Sequence, residues 1–266
     1  MNLTLEFAQQ HISARINNNP TLGKLFHQIF GVINFGDFAG VLQFKKLVKQ
    51  VPMPAQAKIL DLGTGDGTYA MNLAQDQPKS RIYALDIDSR RILSLRMTLE
   101  KHSITNVSTY CQKVETTLLS ELDFVFAIDV FDHMLPEEMP FESVYQRMSS
   151  GGHFLVKVPN KEQRAVLPKS RLQKHRMNIA GEYLDKGFDL DGLKNRFIAE
   201  GFEIVHASYT DGYLSSIARE ISFFGKSKGA FARLLSIPLV QGLGMLDKLV
   251  HSGTWGNSIQ VIGRKK

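Results

Sequence analysis

The chain of 266 residues carries 32 lysines and arginines against 26 aspartates and glutamates, a formal charge of +6, with 43% hydrophobic and 22% charged residues. These proportions exclude collagen-like, disordered and coiled-coil classes, and the length favours one elaborated domain over two independent ones. The single cysteine, Cys111, excludes an internal disulfide framework and a cysteine-rich zinc site, which predicts a reducing, cytoplasmic setting and no structural metal.

The first residues show no basic stretch followed by an apolar one, so no secretory signal is expected. Thr21 can cap a helix over 21–30, where Leu22, Leu25, Phe26, Ile29 and Phe30 recur at helical spacing. A second amphipathic stretch turns Val41, Leu42, Phe44, Leu47 and Val48 toward a core before the VPMP stop. Residues 1–57 therefore read as a helical lid or packing segment preceding the main domain, 58–266.

From residue 58 short apolar runs alternate with helical segments, the pattern of a parallel sheet wound by helices. Strands are predicted at 58–62, 81–86, 107–112, 122–128 and 152–158. A helix over 89–101 buries Ile92, Leu95 and Leu99 behind a cap at Asp88 or Ser89. Pro136 is expected to start another helix, burying Met139, Val144, Tyr145 and Met148. A helix near 189–200 runs into Gly201 and the strand FEIVHASY, and NSIQVIGRKK reads as a last strand. Two long insertions, 159–188 and 210–254, exceed ordinary connections and suit lids or binding surfaces.

The sharpest motif is ILDLGTGDGTYA, an apolar strand with Asp61 followed by Gly63, Thr64, Gly65 and Gly67 and then a helix. Glycines there let the backbone turn tightly and approach a ligand where a side chain would collide. The third glycine comes one residue too early for the dinucleotide fingerprint, which disfavours NAD. Nineteen residues after Gly67, Asp86 closes the second strand, where a carboxylate can accept from both hydroxyls of a ribose.

Strand, glycine turn, helix, strand and acid together resemble the class I S-adenosylmethionine-dependent methyltransferases over roughly residues 58–158. The resemblance implies a Rossmann-like sheet of about seven strands, mostly parallel with the last antiparallel, and S-adenosylmethionine as cofactor. It also implies that Asp61 anchors the turn and helps bind the methionine ammonium, that the backbone at Gly63 and Gly65 lies along the methionine and ribose, that Asp86 holds the ribose and that Ile87 flanks the adenine. The family's acid after the third strand is replaced by TYCQKVET, leaving Gln112 or Glu115 to meet the adenine amino group. Cys111 in that strand reads as a small buried residue.

After the fourth strand, AIDVFDHMLPEE resembles the corresponding stretch of small-molecule members, with Asp129 lining the methyl-donor pocket and His133 as a base for an acceptor hydroxyl or a wall of the pocket. No amino-methylase motif is present.

Charge is unevenly distributed: residues 1–150 hold 14 basic and 16 acidic side chains, residues 151–266 hold 18 and 10. Lys161, Arg164, Lys169, Arg171, Lys174 and Arg176 crowd sixteen residues of the first insertion, 161–176, with His175 among them and only Glu162 opposing within that stretch. His175 and Arg176 are expected to meet an anionic part of the acceptor. The second insertion is apolar over 228–250 but interrupted, too short to span a bilayer and suited to a hydrophobic channel or an in-plane membrane contact on the inner face. The expectation is O-methylation of a hydrophobic or lipid-linked small molecule. RNA methylation and cofactor binding without turnover are the alternatives. Nucleic acid is disfavoured because no RNA-binding module accompanies the basic half. No sequence feature specifies the oligomeric state.

Overall fold

The computed structural model describes residues 35–164, 187–227, 230–250 and 253–266. They form two compact units: residues 35–49 with 211–250, and the remainder.

The larger unit holds seven strands: β1 (Lys58–Leu62), β2 (Arg81–Asp86), β3 (Val107–Cys111), β4 (Leu122–Ile128), β5 (Met148–Pro159), β6 (Phe202–Thr210) and β7 (Ser258–Lys265). Their order is β3-β2-β1-β4-β5-β7-β6. Strands β1 to β5 pair in parallel, and β7 runs antiparallel to both β5 and β6. β1 and β4 are nearly continuous apolar runs because helices cover both faces of a central parallel strand. The chain reverses its winding between β1 and β4, and at such a point the crevice beyond the strand ends is where wound sheets bind ligands.

Helices α2 (Thr68–Asp76), α3 (Ser89–Lys101), α4 (Phe141–Arg147) and α5 (Leu190–Ala199) connect the strands. α3 begins and ends where its periodicity predicts, and Asp88 is its cap, accepting from the Arg90 amide at 2.9 Å. Phe141 and Phe154 each pack within 5.5 Å of Phe197, and this aromatic cluster joins α4 and α5 to β5.

Three local expectations are corrected. Pro136 starts only a 3₁₀ turn, Pro136–Glu138. The α-helix waits until Phe141 because Pro140, which has no N–H to give, takes its N-cap, and Met148 then opens β5 four residues before the predicted start. Cys111 is exposed rather than buried, since β3 is an edge strand and its Sγ lies 3.7 Å from the Ile87 carbonyl oxygen.

The smaller unit comprises α1 (Phe35–Val48), α6 (Tyr213–Ser227) and α7 (Ala230–Val250), so most of the second insertion is helical. α1 buries Val41, Phe44, Leu47 and Val48, whereas Leu42 faces outward, one residue off the buried face. Asp247, buried on α7, accepts from the amides of Gly212 at 2.9 Å and Leu214 at 3.0 Å, satisfying donors at the start of α6. The helix expected over 21–30 lies outside the described residues.

Candidate functional site

The register of the sheet gathers the candidate residues along one edge. Leu62 is paired with Leu85, Asp86 with Cys111, and Ile128 with Lys157, so the C-terminal ends of β1 to β5 lie side by side.

Above β1 the chain turns through three left-handed glycines, Gly63 (φ 74°), Gly65 (φ 56°) and Gly67 (φ 81°). Their surroundings differ. A β-carbon on Gly63 would lie 2.6 Å from both methyls of Val130, and one on Gly67 would run into the end of Leu95. A β-carbon on Gly65 would meet only the Arg91 Nη1 at 3.2 Å. Gly63 and Gly67 therefore let the turn pack on the protein, whereas the buried Gly65 is bordered on its β-carbon side only by the tip of the Arg91 side chain.

Asp61 lies beneath this turn with 2% exposure. Its Oδ2 accepts from the Thr64 hydroxyl at 2.7 Å, so both side chains hold the turn from within. Burial pushes the Asp61 carboxyl up to about 7, opposed by its hydrogen bonds to Thr64 and the Ala70 amide. Asp86, half-buried at the end of β2, accepts from the Gly65 amide at 2.8 Å and, through its other oxygen, from the Asp88 amide at 2.9 Å. It thus ties the turn to β2 while each oxygen keeps a further lone pair. Beside it Ile87 is 70% exposed, an apolar surface next to a polar carboxylate. Gln112 follows β3 half-buried, and Glu115 is exposed in the next 3₁₀ turn.

Beyond β4, Asp129 adopts a left-handed conformation (φ 53°) and stands 3.9 Å from the buried Lys157 of β5. The next residues link two features: Val130 packs on Gly63, and Phe131 lines a small apolar pocket with Met134, Met139, Val158 and Phe188. Asp132 is the single polar side chain of that lining. His133 is turned outward, its side chain 73% exposed, with Nε2 3.8 Å from the Asp132 Oδ2. The sheet edge thus brings together Asp61, the glycine turn, Asp86, Ile87, Gln112, Asp129 and His133. His175 and Arg176 lie outside the described residues. Sequence reasoning missed Asp132 and Lys157; the signal was a lone carboxylate between Phe131 and Met134, and a lysine inside the apolar run of β5.

A family profile described as a methyltransferase domain matches residues 55–196. No curated protein matches the chain in sequence. Among solved structures, a SAM-dependent methyltransferase from Aquifex aeolicus is similar at 14% identity and a TM-score of 0.53, over 82% of this chain and 87% of that one. Phosphoethanolamine N-methyltransferase 2 of Haemonchus contortus, bound to S-adenosyl-L-methionine, is similar at 17% identity and a TM-score of 0.60, over 84% of this chain and 52% of that one. Geranyl diphosphate C-methyltransferase of Streptomyces coelicolor shares 8% identity at a TM-score of 0.57, over 85% and 79%.

Proposed function

The chain belongs to the class I S-adenosylmethionine-dependent methyltransferases, and we propose that it methylates an oxygen of a hydrophobic or lipid-linked small molecule at the edge formed by β1, β2, β4 and β5. The cofactor of this family is S-adenosylmethionine, whose sulfonium methyl group is already activated for in-line displacement. The protein's task is then to bind, align and exclude water.

The residues present suit that cofactor. Gly65, with only the flexible Arg91 tip beside it, leaves space for close approach, and the free lone pairs of Asp86 suit the ribose hydroxyls. The exposed Ile87 suits one face of an adenine ring, and Gln112 its amino group. Gly63, Thr64 and Gly67 act by shaping the turn. Asp61 acts from below, anchoring it and adding negative charge toward the methionine ammonium when ionised. Asp129 borders the methyl-donor side. His133, in reach of water, takes the proton of an acceptor hydroxyl and returns it to solvent.

One observation carries the reading: Val130 packs on the glycine turn while its neighbour Phe131 lines an apolar cavity, so donor cradle and acceptor space are joined by two successive residues. The structural relatives act on unlike acceptors, phosphoethanolamine at nitrogen and geranyl diphosphate at carbon. Acceptor chemistry therefore has to be read from this chain's own cavity. Residues 1–57 and the two insertions are assigned to acceptor selection, with His175 and Arg176 toward an anionic part of the acceptor. No helix among the described residues is long and apolar enough to cross a membrane. On α7, Leu239, Met245, Leu246, Leu249 and Val250 are exposed on one helical face, and 228–250 is assigned to contact with the cytoplasmic membrane surface. Incubating the protein with isotopically labelled S-adenosylmethionine and cell extract, with mass spectrometry of the products, tests the proposal. A labelled apolar metabolite supports it, and labelled RNA or no labelled product overturns it.

A further inference from the structure

Beyond β5 the chain enters a loop whose form is fixed by two buried asparagines. Asn160, 1% exposed, accepts from the Glu162 amide at 3.1 Å and donates through its side-chain nitrogen to the Gly256 carbonyl oxygen at 3.0 Å. Asn257, equally buried, accepts from the Arg164 amide at 2.8 Å and donates to the Arg164 carbonyl oxygen at 3.0 Å. The Asn160 amide and the Gln163 side chain both donate to the Asn257 carbonyl oxygen, at 3.0 and 3.2 Å. Gly256 sits so close to β6 that a β-carbon there would overlap the Thr210 carbonyl. Residues 160–164 and 256–257 are thereby locked together, with each asparagine amide used at both its oxygen and its nitrogen.

This clamp displays a cation on an aromatic platform. The Arg164 Cζ lies over the Trp255 ring, 5.4 Å from its centroid, within reach of a cation–π attraction. Arg164 is exposed, and its hydrogen bonds run through its backbone; the guanidinium pairs with no carboxylate among the described residues. Lys161, by contrast, is neutralised by Asp189 at 3.1 Å. A guanidinium held against a ring keeps the N–H fork along its edge, the geometry that meets a carboxylate or phosphate with two parallel hydrogen bonds. Because the loop and the ring already restrain it, less freedom is lost on binding than for an unsupported surface arginine.

The platform stands at the ligand edge of the sheet. Pro159, which ends β5, is paired with Ser258, which begins β7, so Trp255 and Arg164 lie beyond the strand end that follows Lys157 and Asp129. Along the order β2-β1-β4-β5-β7 the edge presents Asp86, the glycine turn, Asp129 and then this cation. Building on the proposed function, we infer that Arg164, seated on Trp255, binds a carboxylate or phosphate group borne by the acceptor. The acceptor is then an amphiphile whose anionic end is held past β5 while the rest extends toward the donor cradle.

Trp255 is the single tryptophan of the chain, so its fluorescence reads the platform directly. Phenyl phosphate, benzoate and benzyl alcohol, which place a phosphate, a carboxylate or a neutral hydroxyl on one ring, are titrated into the full chain at constant ionic strength. At least one of the two anions is expected to give a saturable change, at least about tenfold tighter than the alcohol. Arg164→Gln should weaken that binding at least about tenfold, and Arg164→Lys should fall between, because an ammonium keeps the charge and loses the planar fork. Neither variant removes the backbone groups that Asn257 holds, so both should keep the Tm of the unmodified protein. The tighter anion assigns the acceptor's group. No saturable response to either anion, an equal response to the alcohol, or undiminished affinity in a folded Arg164→Gln protein overturns the inference. A response to phosphatidylglycerol vesicles or to RNA alone also overturns it and assigns the arginine to a macromolecular surface. The comparison of probes on the unmodified protein stands even if a variant folds poorly. Calorimetry of the same samples with S-adenosylhomocysteine keeps the readings distinguishable: absence of its binding defeats the methyl-transfer reading and leaves the anion result intact, whereas its binding without any anion response defeats this inference alone.

Discussion

Replacing each turn glycine with alanine separates what the turn does for the fold from what it does for the ligand. All three positions have positive φ, so each alanine incurs about 1–2 kcal/mol of backbone strain. At Gly65 little is added, because the new β-carbon meets only the tip of the flexible Arg91 side chain at 3.2 Å. At Gly67 it drives into the fully buried Leu95, and overpacking adds about 1–3 kcal/mol. For a chain of this size about 1 kcal/mol moves Tm by about 2–4 °C. Gly65→Ala should therefore lower Tm by about 2–8 °C and Gly67→Ala by roughly twice as much. Affinity for S-adenosylhomocysteine, measured by calorimetry well below either Tm, should follow the opposite order. Gly65→Ala should bind at least about tenfold more weakly, since its methyl occupies the space beside the turn that only the Arg91 tip borders and that the ligand is proposed to use, and Gly67→Ala should remain close to the unmodified protein. Unchanged affinity in a folded Gly65→Ala protein would refute the assignment of Gly65 to the cradle.

Asp61 predicts a pH signature. Its folded pKa is raised from 3.8 to about 7, so the folded state holds the proton more firmly than the unfolded chain. The associated stability is fully present below about pH 4 and disappears as pH climbs through about 7. Asp61→Asn should accordingly gain stability relative to the unmodified protein over that window in urea titrations; a relative loss as pH rises would contradict the buried-carboxyl account. Asp247→Ala strands the Gly212 and Leu214 amides and should cost about 2–3 kcal/mol, with faster hydrogen exchange at those two amides; unchanged exchange would remove its capping role. Leu246→Glu with Leu249→Glu should abolish flotation with anionic liposomes without lowering Tm, because both side chains are exposed on α7; persistent flotation would move the membrane contact elsewhere.

The cofactor half was legible because its signals are local. A strand, three glycines and a carboxylate at a strand end each determine their own conformation, and Asp88 needed only the next two residues to act as a cap. What escaped depends on non-local packing or on competing local signals. Pro136 and Pro140 are equivalent helix starters in sequence, and the second prevails because Phe141 is drawn into the aromatic cluster. Pro238 reads as an interruption, yet α7 runs through it, supported by packing of Ile237, Val240 and Leu243 rather than by propensity. In sequence only His133 stood out as a candidate base, and the 3₁₀ turn places its neighbour Asp132 in the pocket lining while His133 faces water.

The central claim is that the Gly65 turn and Asp86 form one cradle for S-adenosylmethionine, and titration calorimetry with that compound on the unmodified protein and on Asp86→Asn tests it most directly. The asparagine keeps the size of the side chain but loses its charge, and its amide nitrogen faces one of the two backbone donors. Saturable binding by the unmodified protein at one molecule per chain, weakened at least about tenfold in a variant with native circular dichroism, is the result predicted. Equal affinity in the two folded proteins, or no binding by the unmodified one, would contradict it.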